Sequence, residues 1–127
     1  MDNVENQISY DVRGAIFKVY NNLGPGLFES VYETALSYEI EKLGYSIKRQ
    51  VVLPFVYEEI YFEQGFRIDI LVEDKVIIEL KSVESLANVH YKQVLTYLKL
   101  SNKKLGILVN FNSEQISDSI KRVVNNL

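Results

Sequence analysis

From Val4 to Leu23, apolar side chains recur at three- and four-residue steps, at Ile8, Val12, Ala15, Ile16, Val19 and Leu23. That spacing marks one face of an α-helix, and Gly24-Pro25-Gly26 ends it. A second helical period starts near Leu27 or Phe28 and runs to Leu43, with Gly44 as its stop. Its core-facing arc holds Phe28, Tyr32, Leu36, Ile40 and Leu43. From Tyr45 the pattern turns to β-branched and aromatic residues, so Ile47 to Tyr57 reads as a strand, with Pro54 marking an edge or a bulge. Gly65 to Val72 and Val76 to Ser82 are two further strands, joined by the tight polar turn Glu73-Asp74-Lys75. A third helix is predicted from Leu86 to Leu100, with Ala87, Tyr91, Val94, Leu95 and Leu98 as its core stripe. Leu105 to Phe111 is an almost wholly apolar strand, suited to burial on both faces. Ser113 is placed to cap a last helix from Glu114 to Val124. The order ααβββαβα, without repeats or linkers, predicts an α/β (α+β) fold in one domain over residues 1–127, a central mixed sheet flanked by helices.

The second and third strands carry the sharpest chemistry. Alternation puts Phe66, Ile68, Ile70 and Val72 on one side of the first strand of the hairpin, and Val76, Ile78 and Leu80 on one side of the second. A three-residue turn centred on Asp74 pairs these apolar sets and sets Asp69 across from Glu79 on the opposite face. Like charges directly opposed there repel, with Cβ atoms about 5 Å apart, so a positive group is expected between them. Lys81, two residues beyond Glu79, projects from the same face. Hard oxygen donors of this kind suit Mg²⁺ or Mn²⁺, and an ammonium beside them can orient a water or stabilise charge on a phosphate. A solvated polar strand face is the plainer reading of the same three residues. Against it stands Val76-Ile77-Ile78-Glu79-Leu80-Lys81, apolar enough to be a covered strand, where ionised groups need partners.

Two more sets of residues bear on this patch. Glu29, in the first turn of the second helix, falls within its core-facing arc. The helix dipole favours any first-turn acid but not an inward one, so Glu29 is expected to reach the hairpin carboxylates, with Glu33 at the margin. On the third helix His90, Gln93 and Tyr97 form a polar-aromatic line beside the core stripe. Gln93 is the candidate to bind a phosphate or a water, with His90 and Tyr97 as candidate substrate contacts that packing alone would also explain.

Composition narrows the function classes. Among 127 residues none is cysteine, which excludes disulfides and thiolate zinc sites and fits a reducing cytoplasm. No run approaches the roughly 20 apolar residues of a membrane span, and the polar start Met1-Asp2-Asn3-Val4-Glu5 lacks the pattern of a secretory signal. A net charge of −3 argues against a protein that coats nucleic acid, though not against a metal-dependent phosphodiesterase.

Gly26-Leu27-Phe28-Glu29-Ser30-Val31-Tyr32 resembles the signature of the GxxExxY proteins, a group similar to the PD-(D/E)XK nuclease superfamily. The resemblance runs over nearly the whole chain and implies a restriction-endonuclease-like core. It also implies a site built from Glu29, Asp69, Glu79 with Lys81, and Gln93 with Tyr97, although Ile68 stands where the motif often has proline. The leading expectation is a Mg²⁺- or Mn²⁺-dependent nuclease, acting most simply on DNA. Asp69, Glu79, the Leu80 carbonyl and Glu29 would hold the metal, Lys81 would activate water, and Gln93 would place the phosphate. Lys48, Arg49, Arg67, Lys92, Lys103 and Lys104 are candidates for backbone contacts. Two rivals differ in class. One is a non-catalytic nucleic-acid- or protein-binding module on the same fold, to which nine tyrosines and an acidic pI are suited. The other is a hydrolase of small phosphorylated molecules. A homodimer is compatible with the exposed tyrosines expected of so short a chain.

Overall fold

The computed structural model describes residues 3–127, with Gln64 described by its backbone alone; Met1 and Asp2 of the polar N-terminal stretch lie outside the described residues. Three helices and five strands follow one another as α1 (Val4–Leu23), α2 (Glu29–Lys42), β1 (Ile47–Tyr57), β2 (Ile60–Val72), β3 (Val76–Lys81), α3 (Asn88–Ser101), β4 (Leu105–Asn110) and β5 (Ile120–Val124). The sheet order is β1-β2-β3-β4-β5. All neighbours are antiparallel except β3 and β4, which are parallel and joined through α3. The expected mixed sheet between helical layers is therefore present. None of the described helices is long and apolar enough to cross a membrane.

α1 and α2 form where their periodicity points, while in α3 the buried residues are Val94, Tyr97 and Leu98, with Ala87 of the expected stripe exposed at the N-cap. Asn3 caps α1, its side-chain oxygen accepting from the Asn6 N–H at 2.7 Å. Gly24, at φ 71°, closes the helix with its N–H on Tyr20 O. On one face of the sheet Ile8, Val12, Ile16 and Val19 of α1 and Tyr32, Leu36 and Ile40 of α2 pack on Ile70, Val72, Val76, Ile78 and Leu80. On the other face Val94, Tyr97 and Leu98 of α3 cover Ile68, Leu71, Ile77 and Leu108. Covered on both sides, β4 is buried throughout and β3 at every position before Lys81.

Four expectations are corrected. The last element is a strand: a 3-10 turn at Ile116–Ser119 leads into β5, which pairs with β4 from Leu105–Val124 to Val109–Ile120. Ser113 makes a local turn with Gln115 and caps no helix. The free edge of the buried strand β4 supplies backbone partners that a surface helix would leave unused, and Ile120, Val123 and Val124 are β-branched. β2 begins at Ile60, five residues before the expected start at Gly65, because β1 and β2 continue as a ribbon past the sheet to the pair Tyr57–Ile60. Phe28 is 83 % exposed and Leu43 is also exposed, both lying at the ends of the α2 arc where the sheet no longer covers them. Finally, Phe66 and Ile68 do not share a face with Ile70 and Val72, since the former pack under α3 and the latter under α1 and α2. The side-chain alternation of β2 breaks at Asp69.

Candidate functional site

That break is the centre of the site. β2 and β3 pair only at Val72–Val76, Leu71–Ile77 and Ile70–Ile78. Beyond Ile70 the strands part, so Asp69 and Glu79 are not a simple cross-strand pair. Instead each carboxylate enters the fork. The Asp69 N–H donates to Glu79 Oε1 at 3.0 Å, and the Leu80 N–H donates to Asp69 Oδ2 at 2.9 Å. The two side chains thus replace the ladder bonds that the parting strands give up. The other oxygen of each, Asp69 Oδ1 and Glu79 Oε2, takes no backbone N–H and meets only the Gln50 amide at 3.5 Å and the Lys81 ammonium at 3.7 Å, respectively. In a strand the N–H and C=O of one residue point the same way, so the Leu80 carbonyl faces this fork as well.

Glu79 is 3 % exposed. Burial, and secondly the charge of Asp69, push its pKa up to about 8, against the pull of the Asp69 N–H and of Lys81. Burial likewise raises the Asp69 pKa, opposed by the Leu80 N–H. Lys81 Nζ stands 3.7 Å from Glu79 Oε2, a longer contact than a well-formed ion pair. One ammonium does not offset two half-desolvated carboxylates, and the fork is short of positive charge.

On the α2 side, Glu29, Ser30, Glu33, Gln50, Asp69 and Leu80 line one cleft of about 370 Å³. Glu29 is exposed at its rim. Its helix is held by Tyr32, whose hydroxyl donates to Gly24 O at 2.6 Å and accepts from the Leu27 N–H at 3.1 Å. The Tyr32 ring stacks on Phe111 at 4.3 Å. This gives the Gly26…Glu29…Tyr32 spacing a physical meaning: the tyrosine clasps the loop that delivers the glutamate. Ser82 reinforces the clasp by donating to Leu27 O at 2.6 Å.

Glu33, placed at the margin by the sequence reading, is 7 % exposed and bound by its neighbours. Arg49 donates to its Oε2 through Nε at 2.9 Å, with Nη2 in ion-pair contact at 2.8 Å, and Gln50 Nε2 donates to its Oε1 at 2.5 Å. Arg49 is thereby committed to this network and to Thr34. Glu33 carries a signal in the sequence as an acid on the same helical face as Glu29, one turn on, whereas nothing in the pattern points to Gln50.

On the α3 side Tyr97 is buried and meets Phe66 edge-on at 5.7 Å. Burial raises its pKa, with the Glu79 charge adding to the effect. Tyr97 therefore lies within electrostatic reach of the fork, while half-buried Gln93 stands one helical turn before it. His90 accepts the Ala87 N–H on Nδ1 at 3.0 Å and so caps α3. Arg67 is exposed on the ribbon beside Val52, Pro54 and Tyr61. Of the expected site residues, Glu29, Asp69 and Leu80 line the α2-side cleft, whereas Glu79, Lys81, Gln93, Tyr97, His90 and Arg67 do not.

Among the described residues, no three acidic or imidazole side chains are close enough to cage a metal alone. The fit is to a more open kind of site: Mg²⁺ takes one or two carboxylates and completes its shell with water and phosphate. Two carboxylates with a spare oxygen each, in a fork deficient in positive charge, match that donor set.

No curated protein matches the chain at a significant level. Among solved structures it is similar to SSO0001, with a TM-score of 0.59 at 20 % identity over 78 % of this chain. The match spans about half of that longer chain, 51 % of it, and at this identity it speaks for the fold. The family profile described as the PD-(D/E)XK nuclease superfamily matches residues 6–123. A sheet that forks at an aspartate and a Glu-x-Lys strand, together with that match, makes this chain a member of the PD-(D/E)XK nuclease superfamily.

Proposed function

We propose that the protein is a metal-dependent nuclease that hydrolyses phosphodiester bonds of nucleic acid, most simply DNA. The supporting observation is the fork, where Asp69 and Glu79 each spend one oxygen on a backbone N–H and hold the other only in a long contact, Asp69 Oδ1 at 3.5 Å from Gln50 Nε2 and Glu79 Oε2 at 3.7 Å from Lys81 Nζ. Asp69 Oδ1, Glu79 Oε2 and the Leu80 carbonyl would hold Mg²⁺ or Mn²⁺, with Glu29 at the rim completing or adjusting the site. The bound cation supplies charge neutralisation and Lewis-acid polarisation. Lys81 donates to the attacking water or to a phosphate oxygen and stabilises the charge that develops there. Gln93 orients the phosphate, and Tyr97 closes the α3 side of the fork. Lys48, Lys92 and Lys104 remain candidates for backbone contacts, whereas Lys103 is paired with Asp74 at 3.4 Å. The lack of cysteine suits a reducing cytoplasm.

The test is nicking of plasmid and degradation of single-stranded DNA with Mg²⁺ or Mn²⁺. Glu79→Ala and Lys81→Ala are each expected to lose about 100-fold or more in rate, and equal activity in all three proteins removes both residues from the mechanism.

A second reading, a protein-binding module on the nuclease-like fold, is favoured by the β1–β2 ribbon. Its outer part exposes Val56, Tyr57, Ile60 and Tyr61, and residues 51–66 contain three glutamates and no Lys or Arg, a poor match to a polyanion. Calorimetry separates the two readings: a module without a metal role shows no Mn²⁺ binding that depends on Asp69.

A further inference from the structure

In the middle of β1, Gln50 has φ 53°. A left-handed conformation costs a residue with a Cβ about 1–2 kcal/mol, and here it stands in a strand. The pairs on either side, Arg49–Ile70 and Val51–Ile68, keep one register, so no residue is inserted. The pair missing from the ladder between them is Gln50 with Asp69.

The consequence is visible in what neighbouring side chains touch. Successive residues of an extended strand point to opposite faces. Arg49 and Gln50 nevertheless both bind the Glu33 carboxylate, one on each oxygen. The left-handed backbone at Gln50 supplies the twist that brings the two side chains to one side. Across the ladder gap the same disruption brings Asp69 to the cleft on the α2 side, next to Ile70, which packs on that side too. The Gln50 amide has two donor hydrogens. Its nitrogen lies 2.5 Å from Glu33 Oε1 and 3.5 Å from Asp69 Oδ1, the oxygen not engaged by the Leu80 N–H. Because Glu33 is buried and also held by Arg49, the amide is anchored at one end and aimed at Asp69 with the other. Backbone strain persists where surrounding contacts over-determine it, and such strain gathers at functional sites.

We propose that Gln50 is a positioning residue for Asp69. Its left-handed backbone turns Asp69 out of the ladder, and its amide, braced by Glu33 and Arg49, keeps Oδ2 on the Leu80 N–H and Oδ1 facing the cleft. The catalytic consequence rests on the metal-site reading above, whereas the positioning itself exists in the metal-free protein.

The experiment uses Gln50→Gly and Gln50→Asn. Glycine takes positive φ freely and asparagine takes it more readily than most residues, so both keep the backbone turn and remove the reach of the amide. In metal-free protein, hydrogen exchange at the Leu80 amide is expected to accelerate about tenfold in both variants, while the Ile78 amide, which sits in the intact ladder, does not change. Mn²⁺ affinity by calorimetry falls about tenfold or more, as for loss of a group supporting a ligand. An unchanged Leu80 amide in both variants overturns the proposal, as does equal acceleration at Leu80 and Ile78, which signals general loosening. Selective acceleration at Leu80 in a protein that binds no Mn²⁺ upholds the positioning role and refutes the metal site.

Discussion

Glu79 is a buried carboxyl whose partners do not fully compensate its charge, and this makes the stability of the metal-free protein fall as pH rises. Its pKa is raised from 4.5 to about 8. Between those values the folded chain retains a proton that the unfolded chain has released, so unfolding free energy decreases by about 1.4 kcal/mol per pH unit. Stability is full below the unfolded pKa and is lost as pH climbs through the folded one. Over the whole interval the loss is about 5 kcal/mol at most, a large share of a typical total of about 5–15 kcal/mol. Glu79→Gln keeps the shape and an oxygen for the Asp69 N–H but cannot ionise. Urea unfolding with a chelator at pH 5.5, 7 and 8.5 is the assay. Wild type should lose several kcal/mol across this range, and the glutamine variant should have a clearly shallower profile, with the residual slope carried by Asp69, and be more stable than wild type at pH 8.5. Parallel pH profiles for the two proteins would refute the reasoning, since they would show that Glu79 does not carry the titration.

Further outcomes follow from the same structure. Tyr32→Phe keeps the ring stacked on Phe111 but removes both hydroxyl bonds to the Gly24–Leu27 loop; it should cost about 1–3 kcal/mol in chemical unfolding. Gly106→Ala drives a methyl to 2.6 Å from Val94 Cγ1 between β4 and α3 and should lower stability by about 1–3 kcal/mol, with a shifted melting temperature as the readout. Glu29→Gln, at an exposed position, should leave unfolding unchanged within about 0.5 kcal/mol while weakening Mn²⁺ binding in calorimetry; unchanged binding would remove Glu29 from the site.

Elements with strong local period were legible from the residues. The bounds of α1 and of β1 agree with the apolar pattern, because Gly24 and the β-branched run from Ile47 act within a few residues. β5 was not legible, since Ile120-Lys121-Arg122-Val123-Val124 becomes a strand only through the edge that β4 offers it. Period-two reasoning brought Asp69 and Glu79 together but on a uniform face, and it could not show that the strands part after Ile70. Nor does the left-handed backbone of Gln50, at the gap in the β1–β2 ladder opposite Asp69, leave any mark in the pattern of apolar and polar positions. Glu33 was undervalued for a related reason, since its burial is set by Arg49 and Gln50 on a strand far along the chain. His90 was a candidate substrate contact that packing would also explain, and its Nδ1 accepts the Ala87 N–H at the start of α3, a local cap that its spacing did not reveal.

The claim on which the functional reading turns is that one divalent cation binds in the fork between β2 and β3. Anomalous diffraction from a crystal soaked in Mn²⁺ tests it directly. The account predicts one strong peak about 2–2.3 Å from Asp69 Oδ1 and Glu79 Oε2, absent from crystals of Asp69→Asn. A fork without a peak at saturating Mn²⁺, or a peak that survives in Asp69→Asn, would contradict it.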